Sequence, residues 1–165
     1  MTINSFNFNT TPGLRFGSGQ AKDSCKEIFD KLGPRILFIT DRGLISLGLT
    51  KPTIDELNKM GSVEVFDEVE SDPSQKTLLS AIEIGKKFKA TGVIGFGGGS
   101  SMDVAKLSAL ILGSNEDLEK AWGVANAKGP RLPLTLVPTT AGTGSEVTPI
   151  SIITVGEEEK KGVSS

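Results

Sequence analysis

Histidine is absent from the 165 residues of the sequence. This excludes an imidazole general base, a catalytic triad built on one, and any zinc or iron site for which this chain supplies a histidine ligand. Cysteine occurs once, at Cys25, so neither an intrachain disulfide nor a thiolate metal cluster can form. With no imidazole to activate it, Cys25 is expected to be a small, half-buried residue on a helix. A basic n-region followed by an apolar h-region is missing from the N-terminus, which makes a reducing cytoplasm the expected compartment. No apolar run approaches the roughly 18 residues that a membrane-spanning helix needs. Charge of one sign is missing too: 18 basic side chains stand against 20 acidic ones, a formal charge of −2. No segment concentrates Lys and Arg into a footprint for nucleic acid, so neither nucleic acid nor a membrane is an expected partner. What is present, 37% hydrophobic and 23% charged residues, is the composition of a globular protein, and the length allows one domain with a sizeable core.

The hydrophobic pattern has a clear rhythm. The opening stretch from Ser5 to Gly19 alternates apolar and polar residues, Phe6 and Phe8 and then Leu14 and Phe16, around a Thr-Thr-Pro-Gly turn, and predicts a β-hairpin. Ala21 to Leu32 carries Cys25, Ile28, Phe29 and Leu32 at helical spacing until Gly33-Pro34 stops it. Arg35 to Thr40 has four adjacent apolar residues without alternation, as expected of a parallel strand buried on both faces. Further short apolar runs at Val63–Phe66, Val93–Phe96 and Leu134–Val137 predict three more strands. Between them lie helical patterns from Leu44 to Met60, broken near Gly48 to Pro52, from about Ser74 to Phe88, and from about Met102 to Leu112. Ile150 to Val155 is β-rich, and Glu157 to Lys161 is a charged turn. Strands alternating with helices predict an α/β fold of three layers, a mostly parallel, Rossmann-like sheet with helices on both faces.

Ligands of such sheets bind beyond the carboxyl ends of the strands, and three unusual segments fall there: Asp41, the Gly97-Gly98-Gly99-Ser100 turn, and the loop Thr139 to Ser145. Consecutive glycines leave no Cβ in the way, so a bulky group can approach the main chain at a helix N-terminus, where free amides and the helix dipole favour a phosphate or pyrophosphate. The same glycines could serve only to reverse the chain. Asp103 is expected in the first turn of the following helix, as a cap or a brace for the loop, and Lys106 as a solvated helix lysine. The hydroxyls of Thr139, Thr140, Thr143 and Ser145 can contact phosphate, ribose or an amide, or Thr143 or Ser145 can cap a following helix. Asp41 can accept from ribose hydroxyls or cap a helix. Neither a G-x-G-x-x-G fingerprint in the first βαβ unit nor a G-x-x-x-x-G-K-[ST] loop is present.

The segments GFGGGSSMDVAK at Gly95–Lys106 and PTTAGTGSEVT at Pro138–Thr148 closely resemble the iron-containing alcohol dehydrogenases. The FGSG turn, the FITD strand end and the EEEKKG turn extend that resemblance over essentially the whole chain. The resemblance implies that residues 1–165 are the family's N-terminal NAD(P)-binding domain, similar to that of the dehydroquinate synthases. It further implies that Gly97, Gly98, Gly99 and Ser100 hold the cofactor's pyrophosphate and that Asp103 shapes the turn near the nicotinamide side. Thr139, Thr140, Thr143 and Ser145 would line the cofactor, and Lys160 would reach toward its ribose. Asp41 matches the family's acidic strand end, which implies NAD rather than NADP, because a carboxylate there accepts from the 2′-hydroxyl and repels a 2′-phosphate. Asp72-Pro73 stands where the family often has Asn-Pro. The family's Fe2+ or other divalent metal is held by one Asp and three His of a helical catalytic domain, which would lie beyond Ser165. Hydride transfer needs the alcohol polarised, and a Lewis-acid metal supplies that; the 165 residues by themselves are expected to be inactive. The implied partners are NAD(P) and a small alcohol or aldehyde, and an edge strand is available for pairing in a homo-oligomer. The competing reading is a nucleotide- or phosphate-binding module with no redox role.

Overall fold

The computed structural model describes residues 11–164. Four parallel strands, β1 (Arg35–Ile39), β2 (Ser62–Phe66), β3 (Gly92–Gly97) and β5 (Leu134–Pro138), form one sheet in the order β2-β1-β3-β5. Their register runs Ile36 beside Val63 and Gly92, and Val93 beside Leu134. The non-alternating apolar runs arise because both faces of the sheet are covered. On β1, Ile36 and Phe38 face a cluster with Cys25, Ile28, Leu32 and Leu57, while Leu37 and Ile39 face another with Leu78, Ala81, Val104 and Leu107. Helices α2 (Cys25–Leu32) and α4 (Lys51–Asn58) therefore cover one side, and α5 (Gln75–Phe88) and α6 (Gly99–Ser114) the other. Phe38 stacks on Phe96 within the first layer, ring centroids 5.6 Å apart.

Four local expectations are corrected. The first arm of the opening hairpin, with Phe6 and Phe8, lies outside the described residues; residues 11–16 of the second arm are in no strand, and Phe16 is fully exposed. The single helix expected over Ala21–Leu32 is two, α1 (Gln20–Asp23) and α2, separated at Ser24, whose hydroxyl turns back to Gln20 Oε1 at 3.4 Å. Serine competes in this way for local hydrogen bonds and so marks helix ends. The helix after the glycines begins at Gly99 rather than near Met102, so Asp103 belongs to its second turn. Glu157 to Lys161 is not only a turn: β7 (Glu159–Ser164) returns antiparallel to β6 (Ile150–Val155), and with β4 (Gly123–Val124) these make a second, three-stranded sheet.

Candidate functional site

The order β2-β1-β3-β5 reverses direction between β1 and β3: the chain steps from β1 to β2 on one side, then to β3 on the other. Loops leaving two neighbouring strands in opposite directions open a crevice at their carboxyl ends. A cleft of 760 Å³ lies there. All four parallel strands contribute to it: Asp41 to Leu44 follow β1, Asp67 to Ser71 follow β2, Gly98, Ser100 and Ser101 follow β3, and Thr139 and Thr140 follow β5. The volume suits a nucleotide-sized ligand.

The glycine turn forms the floor of this cleft. Gly97 has φ +154°, and a Cβ built on it would lie 2.6 Å from Ser101 Oγ, so the strand can pass this closely over the helix only without a side chain. Its carbonyl accepts from Thr139 N at 2.9 Å, which ties the ends of β3 and β5 together. Gly98 is the N-cap of α6 and offers no side-chain cap. Among the described residues, no acceptor engages the amides of Gly98, Gly99, Ser100 and Ser101; the first bond of the helix is Met102 N to Gly98 O at 3.2 Å. Four unpaired N–H groups stand at the positive end of a 16-residue helix, an arrangement that favours an anion.

Asp41 follows β1, and its Oδ1 accepts from Leu44 N at 2.9 Å, capping α3 (Arg42–Ser46). It therefore serves as a cap and also lines the cleft. Around it the rim is acidic, with Asp67, Glu68 and Glu70 against Arg42, which pairs with Glu68 at 3.0 Å. Burial acts to raise the Glu70 carboxyl, but hydrogen bonds from Ser74 N and Thr77 Oγ1 outweigh it and hold the group below the ordinary carboxylate range.

Thr139 and Thr140 reach the cleft, whereas Thr143 and Ser145 stand behind the glycine turn. Thr143 packs against Gly99, whose Cβ would lie 3.3 Å from the threonine methyl. Neither Thr143 nor Ser145 caps a helix, since a turn follows; Ser145 N instead donates to Thr143 Oγ1 at 3.3 Å. Buried Ser145 donates its hydroxyl to Asp103 Oδ1 at 2.6 Å, and Asp103 Oδ2 accepts from Ile152 N at 3.0 Å. Asp103 thus braces the loop from behind.

Lys106 is not a solvated lysine. Its side chain is 12% exposed and pairs with Asp103 at 3.0 Å. Lys160 lies on β7, where its ammonium pairs with the carboxylate of Asp72 rather than projecting free toward the cleft. Of the predicted set, the cleft gathers Asp41, Gly98, Ser100, Thr139 and Thr140 on its surface. The lining residues missed were Arg42, Gly43, Leu44, Leu47, Ser101 and the rim from Asp67 to Ser71; their only signal in the sequence is a position shortly after a strand end.

Cys25 is buried and remote from the cleft, among Ile28, Leu32 and Leu57. Burial, followed by the nearby carboxylates of Glu56 and Asp23, pushes its thiol up to about 11. A neutral, enclosed thiol reacts slowly. A disulfide reagent at pH 8 should label the folded protein at least ~100-fold more slowly than the denatured chain; labelling at the rate of a free thiol would refute this environment.

A divalent-metal centre does not fit the described residues of this chain. It has no histidine, and among the described residues no group of three or more Cys, Asp or Glu side chains is placed to hold an ion. Among the same residues no helix is long and apolar enough to cross a membrane.

Residues 12–165 match the family model described as iron-containing alcohol dehydrogenase. A sulfoacetaldehyde reductase of Bilophila wadsworthia is 34% identical over 159 residues, covering 94% of this chain and 41% of that protein. A choline dehydrogenase of Bacillus subtilis is 38% identical over 152 residues, covering 90% of this chain and 38% of that protein. The crystal structure of sulfoacetaldehyde reductase from Bifidobacterium kashiwanohense in complex with NAD+ superposes with a TM-score of 0.84 at 30% identity, over 99% of this chain and 44% of that one. The chain thus spans about two fifths of the length of the relatives it matches.

Proposed function

The chain belongs to the iron-containing alcohol dehydrogenase family, and on that premise we propose that residues 1–165 are the NAD-binding portion of a metal-dependent dehydrogenase that moves a hydride between a small alcohol or aldehyde and NAD. The observation that carries this reading is the row of unpaired amides from Gly98 to Ser101 on the floor of the cleft at the switch between β1 and β3. A pyrophosphate seated there satisfies donors that otherwise face only water. Thr139 and Thr140 would flank it, and Leu44, Leu47 and Asp41 line the part of the cleft that would take the adenosine end. NAD supplies the hydride acceptor. The contribution of this chain is to grip the diphosphate and fix the dinucleotide's direction along the cleft. The family's divalent metal belongs, on this reading, to residues outside these 165, and the compartment is the reducing cytoplasm.

Calorimetric titration tests the proposal directly: NAD+ should bind the purified chain saturably with a stoichiometry of one. Absence of binding would overturn it. Cofactor choice follows from the rim. The carboxylates of Asp41, Asp67 and Glu68 at the adenosine end face a 2′-phosphate with like charge, while Asp41 can accept from a 2′-hydroxyl. NADP+ should bind at least ~10-fold more weakly than NAD+, a difference of about 1.4 kcal/mol. Asp41→Ser keeps a hydroxyl cap for α3 and removes the charge, so it should narrow the gap without a large change in melting temperature. A wild-type preference for NADP+ would contradict this assignment of the rim.

A further inference from the structure

Lys106 is a cation buried for a purpose that cofactor contact does not explain. It does not line the cleft, yet its stem crosses from α6 to the segment that follows β5. Its ammonium donates to the carbonyls of Ser145 at 2.9 Å and Ile150, approaches that of Thr148 at 3.4 Å, and pairs with Asp103. A lysine has three donors, and here they converge on the carbonyls of Ser145 and Thr148, in the loop before β6, and of Ile150, the first residue of β6. The Glu146 side chain lies close enough to act on Lys106 electrostatically, and its Oε2 is buried without a partner among the described residues. Burial pushes the Lys106 ammonium below its ordinary range, opposed by Asp103 and Glu146.

Resting on the reading of the cleft as an NAD site, we propose that Lys106 is a positioning residue: by gathering the carbonyls of Ser145, Thr148 and Ile150 around one ammonium, it holds the loop that places Thr139, Thr140 and Thr143 against the glycine turn. The chain from Thr139 to Pro149 contains no strand or helix and few internal bonds, chiefly Val147 N to Gly144 O at 3.1 Å and Ser145 N to Thr143 Oγ1. Its shape therefore depends on an anchor from outside. The anchor stands on the same helix whose N-terminus forms the anion site. One rigid element thus sets both walls: the amides of Gly98 to Ser101 at its start, and the threonine loop through Lys106 two turns later.

Removing the ammonium leaves a hole with a defined chemistry. Lys106→Ala deletes three carbons and the nitrogen, which is n-propylammonium. The variant should bind NAD+ about tenfold more weakly, because the loop must now be ordered on binding. Hydrogen exchange at Val147 and Ile152 should speed up by about tenfold or more. Added n-propylammonium should restore both saturably, and n-propanol should restore neither. Lys106→Met keeps the apolar stem without the charge and should show the same loss. The exchange measurement needs no cofactor, so it separates this proposal from the NAD assignment: if wild type fails to bind NAD+, that assignment falls while the exchange result still judges the tether. Wild-type affinity and exchange in Lys106→Met, or equal rescue by n-propanol, would overturn the proposal. So would unfolding of both variants, since that would assign Lys106 to the stability of the fold rather than to the loop.

Discussion

Gly98→Asp is expected to leave the protein slightly more stable and unable to bind NAD+. Gly98 has φ −76° and ψ −173°, an extended conformation open to any residue. A Cβ there meets nothing closer than the Thr140 side chain at 3.6 Å, which is ordinary contact. The position is also the N-cap of α6, which has no side-chain cap, and aspartate is among the best residues for that role. Gly-to-Asp at an N-cap gains a few tenths of a kcal/mol, and at this chain length ~1 kcal/mol moves the melting temperature by roughly 2–4 °C. The melting temperature should therefore stay level or rise by about 1 °C. The same carboxylate takes the amides that a diphosphate would use and places a negative charge beside it. Two unit charges ~4 Å apart at an effective dielectric constant of about 20 repel by ~4 kcal/mol, or roughly a thousandfold in affinity. Most glycine substitutions at binding turns damage folding and binding together; this one separates them. Unchanged NAD+ affinity in a well-folded Gly98→Asp variant would remove the anion site from the cleft's floor.

The opposite behaviour of Gly97, one residue earlier, explains how far the site could be read from the sequence. Three consecutive glycines announced a close approach, but nothing in their order distinguished Gly97, hemmed in by Ser101, from Gly98, where a side chain would meet only ordinary contact with Thr140. The distinction needs the path of α6. The four parallel strands were legible because strands buried on both faces carry adjacent apolar residues, as in Ile36 to Ile39. Their order in the sheet was not legible, and the order places the crevice. Short-range pattern was weakest where a residue's partner lies far along the chain. Lys106 follows the glycines as an ordinary helix lysine would, and only β6, more than forty residues later, reveals that its neighbours are the carbonyls of Ser145 and Ile150. Lys160 similarly reads as part of a charged turn, although its partner is Asp72, which follows the rim segment that ends at Ser71, nearly ninety residues earlier in the chain. Asp41 kept both of its readings because a cap uses one carboxylate oxygen and leaves the other for the cleft. The chemistry of each loop was readable in isolation; their convergence was a property of topology.

That convergence depends on how closely α6 lies on the sheet, and Gly95→Ala measures it. Gly95 is central in β3, buried, and paired with β1 and β5 on either side. A Cβ at this position would lie 2.6 Å from Ala105 Cβ, 2.9 Å from Leu136 Cδ2 and 3.3 Å from Met102 Cα. Leu136 can move its end; a helix backbone and a methyl on it cannot. In an unconstrained strand, Gly-to-Ala would stabilise by roughly 0.5–1 kcal/mol through the unfolded state. Here overpacking reverses the sign, and a loss of about 2–3 kcal/mol is expected, which lowers the melting temperature by roughly 4–12 °C. Lifting α6 also carries the amides of Gly98 to Ser101 away from Thr139 and Thr140, so NAD+ affinity should fall with stability. Ala105→Gly removes the tightest contact at its own cost of ~1 kcal/mol as an interior helix glycine. The double variant should then be more stable than the sum of the single losses predicts, by about 1 kcal/mol or more, because the two methyls compete for one space. Strict additivity in that cycle, or a stabilised Gly95→Ala, would mean that the helix is not seated on β3 at this point and that its N-terminus is set by something other than the sheet.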